Sequence, residues 1–138
     1  MSVCVCLRLK LEHALSAFPL LHFSKRSAIH NLMKPNEITA EIKSIADQII
    51  RKYNPLKIIL FGSAARGEYD RVRDLDFLII KEDVPVLGLA RMRQLDDLID
   101  RNIASDMLVY RPDEFEERIK LGDPFIKTIL REGRVLYG

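Results

Sequence analysis

Ile38, Ile42, Ile45 and Ile49 recur at intervals of three and four residues, which places one apolar stripe on a helix. Asn36 stands where an N-cap is expected, and Glu37 sits where the helix dipole favours an acid. The spacing predicts a helix from there to about Tyr53, stopped ahead of Pro55. The pattern then changes. Leu56 to Phe61 is a short, mostly apolar, β-branched run and reads as a buried strand. Gly62-Ser63 breaks it, and Ala64 to Gly67 has room for one helical turn closed by glycine. Glu68 to Arg73 reads as a charged loop and Asp74 to Ile80 as a second strand. Leu87 to Arg101 reads as an amphipathic helix whose apolar positions are Leu87, Met92, Leu95, Leu98 and Ile99. Asp106 to Tyr110 is a third strand, Pro112 opens another helix with proline in its first turn, and Asp123-Pro124 opens a last one that ends near Gly133. Arg134 to Tyr137 closes the chain.

Residues 1–34 show no such period. The chain therefore divides into an N-terminal extension, residues 1–34, and a domain over residues 35–138. Two readings of the first 32 residues compete. They form a real extension, a strand and a helix, or Met33 is the natural start and the upstream part reflects gene-start assignment; the missing periodicity favours the second.

Composition narrows the picture. A length of 138 residues suffices for one domain with one modest core. The net charge of +2 is too balanced to argue for nucleic acid, and no direct nucleic-acid contact is expected. Residues 1–36 carry Arg8, Lys10, Lys25, Arg26 and Lys34 against Glu12 alone, so the remainder is slightly acidic. No apolar run reaches the ~18 residues of a membrane span, and no secretory leader is evident, so no membrane association is expected. Cys4 and Cys6, two apart, suit neither a disulfide nor a zinc site; together with the lack of other cysteines they fit a reducing cytoplasm.

Three features carry chemistry. Gly62-Ser63 ends a strand and begins a turn, where free backbone N–H groups favour an anion and glycine lets a phosphate approach. Alone, Gly-Ser after a strand is commonly only a turn. Asp74 and Asp76 stand at positions i and i+2 of a strand and so share a face, while Leu75 and Phe77 point into the core. Two adjacent carboxylates repel unless a cation lies between them, and Mg²⁺ with bound phosphate is the natural cation. The alternative is a solvated strand start with Arg71 or Arg73 pairing the acids. Asp106 joins this cluster if its strand lies beside Asp74–Ile80; otherwise it is an ordinary loop aspartate. Arg66 either helps to neutralise a triphosphate or is a solvent-exposed helix charge. His13, His22 and His30 receive no role.

Gly62-Ser63 followed by Asp74-x-Asp76 resembles the signature of the nucleotidyltransferase superfamily related to DNA polymerase β. Leu60 to Gly67, Asp74 to Ile80, Asp106 ahead of Met107-Leu108-Val109, and Leu130 to Tyr137 are similar to its minimal members, the MNT domains. The resemblance covers about residues 35–138. It implies an α/β (α+β) fold with a small mixed sheet and helices against it. It also implies transfer of a nucleoside monophosphate from an NTP, with Gly62, Ser63, Arg66 and Gly67 at the nucleotide and Asp74, Asp76 and Asp106 as catalytic acids and Mg²⁺ ligands. Many minimal members are encoded beside a HEPN-type toxin and act as its antitoxin, some by attaching AMP to a tyrosine. Arg73 departs from the family pattern, which has serine or another small residue before the first acid.

The resulting expectation is AMP transfer from ATP to a hydroxyl on a protein partner, Asp106 accepting the hydroxyl proton. The rivals are a small-molecule nucleotidyltransferase, as in antibiotic adenylylation, a non-catalytic binding antitoxin, and a polymerase accessory. Oligomeric state is left open, with room for a homo-oligomer.

Overall fold

Proline at position 35 fits the first turn of a helix, because its missing N–H is one that the turn could not satisfy. Helix α1 accordingly spans Pro35–Tyr53 with Lys34 as its N-cap, ahead of the Asn36 cap expected from sequence. Glu37 supplies the reason: its carboxylate accepts the Lys34 N–H at 2.8 Å. Asn54, at φ 51°, ends the helix in the left-handed region ahead of Pro55. The computed structural model describes residues 33–138. The readings of residues 1–32, with their cysteines and histidines, lie outside the described residues.

Strand β1 (Lys57–Phe61) leads into a single helical turn, α2 (Gly62–Ala65), and a 3₁₀ turn at Tyr69–Arg71. Then follow β2 (Asp74–Ile80), α3 (Gly88–Leu98), β3 (Ala104–Tyr110), α4 (Pro112–Lys120), α5 (Pro124–Glu132) and β4 (Arg134–Tyr137). The four strands form one sheet in the order β3-β2-β1-β4. β1 is antiparallel to both neighbours, and β2 runs parallel to β3, so the sheet is mixed.

Alternation along the strands divides the core in two. Leu75, Phe77 and Ile79 of β2 join Ile58 and Leu60 of β1 in a large core with the isoleucine stripe of α1 and with Leu95 of α3. Leu78 and Ile80, on the opposite face, meet Ile59 and the α5 residues Ile126 and Ile129 in a smaller one. Asp74 and Asp76 belong to this second face, at its uncovered end.

Helix α3 is shorter than its apolar pattern predicts. It ends at Leu98, and Ile99 is already extended at φ −108°, ψ 119°. The side chains of α1 capture the backbone that would have continued it. Gln48 bonds both the N–H and the C=O of Asp100, at 2.9 and 2.8 Å, and the buried Glu41 accepts the Asn102 N–H at 2.6 Å. Leu87 and Leu98 are correspondingly exposed, while Leu95 and Ile99 are buried. β3 begins two residues before Asp106, which is therefore inside a strand and not at its start.

Candidate active site

Topology brings the acids together. β1 and β2 are antiparallel, so the end of β1 lies against the beginning of β2, with Phe61 opposite Asp76. β2 and β3 are parallel and in register, with Asp76 opposite Asp106 and Asp74 opposite Ala104. Asp74, Asp76 and Asp106 therefore project from one face at one end of the sheet. Asp74 and Asp106 are exposed, and Asp76 is half-buried between them. Its carboxyl group is pushed up to about 6, first by burial and then by the charges of Asp74 and Asp106.

Gly62 sits immediately beside this carboxylate. Its φ is +71°, and a Cβ built there would overlap Oδ2 of Asp76. Glycine is required twice over, by the backbone conformation and by the approach of the turn to the acid. Beyond it the first helical bond of α2 runs from Arg66 N–H to Gly62 C=O at 3.4 Å. The N–H groups of Ser63 and Ala64 lie in this first turn, ahead of any carbonyl the helix could offer them. With one turn of helix the macrodipole contributes little, so the anion-attracting element is these amides. Ser63 is half-buried, and its hydroxyl makes no hydrogen bond to a described residue. Gly67, at φ +77°, closes the turn, and Glu68 N–H reaches back to Ser63 C=O at 3.1 Å.

Arg66 is exposed and already engaged, with Glu68 at 2.9 Å and Glu132 at 3.4 Å. It stands at the turn but is held by acids of its own surroundings. Neither Arg71 nor Arg73 forms an ion pair with Asp74, Asp76 or Asp106 among the described residues. The alternative in which a neighbouring arginine neutralises the acids is thus not the arrangement seen.

The donor set fits a hard divalent cation. Three carboxylates meet at this end of the face, and the Asp76 carboxyl is raised first by burial and then by the charges of the other two. Among the described residues no group of three or more His, Cys, Asp or Glu is arranged to hold a metal ion as it stands. The site is open, which suits an ion held partly by substrate phosphate, since Mg²⁺ commonly takes only one or two protein carboxylates.

Sequence reasoning missed a second feature. Arg91, 3% exposed, uses every N–H of its guanidinium. It donates to Pro85 C=O at 2.5 Å, Val86 C=O at 3.1 Å and Val109 C=O at 3.1 Å, and to both oxygens of Glu114 at 2.6 and 2.9 Å. The pairing holds the Glu114 carboxyl down at about 2. The signal was present: Leu87, Arg91, Leu95 and Ile99 share a spacing of four, and a charge in core register needs a partner. Around this pair, beside β3, lies a cavity of about 770 Å³, displaced along the strand from the acids.

A strand–turn bearing Gly62-Ser63, opposed by a strand with two facing aspartates and a third across a parallel neighbour, defines the nucleotidyltransferase class. Residues 42–137 match the family described as nucleotidyltransferase domain, and the chain belongs to that family; it is a nucleotidyltransferase. It is similar to "Putative protein adenylyltransferase MJ0604" of Methanocaldococcus jannaschii, 33% identical over 70% of this chain and 94% of that protein. It is also similar to "Putative protein adenylyltransferase MJ0141" of the same organism, 41% identical over 37% of this chain and 50% of that protein. A crystal structure described as "a putative nucleotidyltransferase from Sulfolobus solfataricus" aligns with a TM-score of 0.44 at 23% identity, covering 62% of this chain and 82% of that one.

Proposed function

We propose that the protein transfers AMP from ATP, with Mg²⁺, to a hydroxyl group on a partner protein. The observation that carries this reading is the register Asp76–Asp106, which sets the acids beside the amide-rich turn at Gly62-Ser63. Ser63 and the amides after it hold the terminal phosphates. Asp74 and Asp76, joined by Asp106, hold Mg²⁺, which when bound neutralises phosphate charge. Asp106 takes the proton of the acceptor hydroxyl. The freed oxygen bonds to the α-phosphorus as the bond to the β-phosphate oxygen breaks, and pyrophosphate leaves. The names of the two archaeal relatives support a protein acceptor. The resemblance to minimal members supports a HEPN-type toxin as that acceptor, with the chain as its antitoxin, acting in the cytoplasm. No described helix is long and apolar enough to cross a membrane.

The test is to incubate the protein with α-labelled ATP, Mg²⁺ and the product of the adjacent gene. The neighbour should gain mass in whole AMP units. Ser63→Ala should weaken labelling by roughly 10- to 150-fold, the worth of one hydrogen bond to a charged group. Asp106→Asn should slow transfer more than it weakens ATP binding. If an Asp74→Asn, Asp76→Asn double variant silences the neighbour as well as the wild type does, neutralisation is by binding and the transferase reading of that act fails.

A further inference from the structure

We infer that the cavity beside β3 is the docking site for the acceptor polypeptide, and that it selects an acceptor segment carrying an apolar residue and a basic residue. The inference rests on the proposed protein acceptor. It arises from the position, rim and charge of the cavity.

Position comes first. The cavity of about 770 Å³ reaches Leu108, which stands two residues beyond Asp106 on the same strand. Positions i and i+2 share a face, so Leu108 lies one pleat, about 6.6–6.8 Å, from the aspartate. A segment seated over Leu108 can therefore bring a hydroxyl side chain towards Asp106.

The rim is apolar and open to solvent. Val86 is 84% exposed and Leu121 78%, and both line the cavity; Leu87 and Leu89, close in sequence to Val86, are also exposed. The β2–α3 and α4–α5 loops thus hold large apolar side chains outward around a concave surface, an arrangement that marks interaction sites. Arg91 ties Pro85, Val86, Val109 and Glu114 together and so braces the walls of the cavity.

Charge sets the chemistry of the occupant. Arg91 is matched by Glu114, and Arg118 by Asp123 at 2.7 Å. Glu117, exposed in the wall, forms no ion pair with a described residue. The cavity consequently carries one uncompensated negative charge among apolar surfaces. A segment with a lysine or arginine next to its apolar anchor complements it, and an acidic segment is repelled.

The probes are fluorescein-labelled random copolymers of lysine and tyrosine, and of glutamate and tyrosine. Binding is read by fluorescence anisotropy, apart from any transfer. The Lys–Tyr polymer should bind the wild type, and the Glu–Tyr polymer should bind at least about tenfold more weakly. A Val86→Ser, Leu121→Ser double variant removes apolar surface from two exposed sites without adding charge, so its fold should persist, which melting temperature and Mg·ATP affinity check. It should lose at least about tenfold in Lys–Tyr affinity, as expected when apolar anchors are removed. Glu117→Lys should reverse the preference between the polymers. Equal Lys–Tyr binding by the wild type and the folded double variant overturns the inference, and so does tight binding of N-acetyltyrosinamide that excludes the polymer, because the cavity then serves a small molecule. Binding lost in the folded double variant upholds the docking site whether or not the polymer is labelled, whereas absence of AMP transfer to the product of the adjacent gene, with Lys–Tyr binding retained, counts against the protein-acceptor reading alone.

Discussion

Asp76 is placed where ionisation works against folding. An ordinary aspartate titrates near 3.9, whereas this one is raised to about 6 by burial and by Asp74 and Asp106. The folded protein holds that proton more tightly than the unfolded chain does. Its contribution to stability is complete below about pH 4 and is lost as pH rises through about 6. Replacing the carboxylate with an amide removes the repulsion without changing the shape. Asp76→Asn should therefore melt above the wild type at pH 8, and the two should converge at pH 4. The group is partly solvated, so the gain is on the order of 1 kcal/mol after screening. Mg²⁺ with ATP should raise the melting temperature of the wild type more than that of the variant. A melting difference that stays constant between pH 4 and pH 8 would show that Asp76 feels neither burial nor its neighbours.

At the scale of elements, α3, α4 and the edge of β3 are joined through one guanidinium. Arg91 is buried and fully bonded, and Glu114 is its partner at 30% side-chain exposure. Arg91→Ala would take this donor from three carbonyls and leave the Glu114 carboxylate with Arg111 alone. Losing one partner of a buried pair costs about 3–5 kcal/mol, and the partial exposure of Glu114 places this case near the lower bound. Arg91→Lys should recover little of it, because an ammonium cannot supply the planar fork. Urea denaturation measures both; a loss below about 1 kcal/mol for Arg91→Ala would make the pair a surface one in effect. The same elements show what the chain made legible and what it hid. Periodicity located α1 and both boundaries of β2, since those signals are local. The end of α3 was not legible, because it depends on Gln48 and Glu41, more than fifty positions earlier. The acids could be read as a pair on one strand from their spacing, but their union with Asp106 needed the parallel register of β2 and β3. Arg66 could be placed at the turn, though not its capture by Glu132 from the far end of the domain.

The whole molecule is organised so that helices cover one face of the sheet entirely and the other only in part. α1 supplies the stripe of the larger core, and Met33, just ahead of it, packs against that core. β4, formed by the last residues before Gly138, completes the sheet beside β1. Among the described residues the four strands form one sheet, and the buried residues form two clusters. The N-cap that starts α1 also lies among the described residues, as Lys34 N–H bonded to Glu37. A protein beginning at Met33 should fold cooperatively and melt within a few degrees of the full chain, because it keeps both described clusters, the sheet and the start of α1. It should bind Mg·ATP with the same affinity, since Gly62, Ser63, Asp74, Asp76 and Asp106 all remain. Thermal unfolding followed by circular dichroism, with calorimetric titration of nucleotide, checks both. A fall in melting temperature of ten degrees or more would assign residues 1–32 a packing role on this domain, and retained stability with lost nucleotide affinity would assign them one at the site.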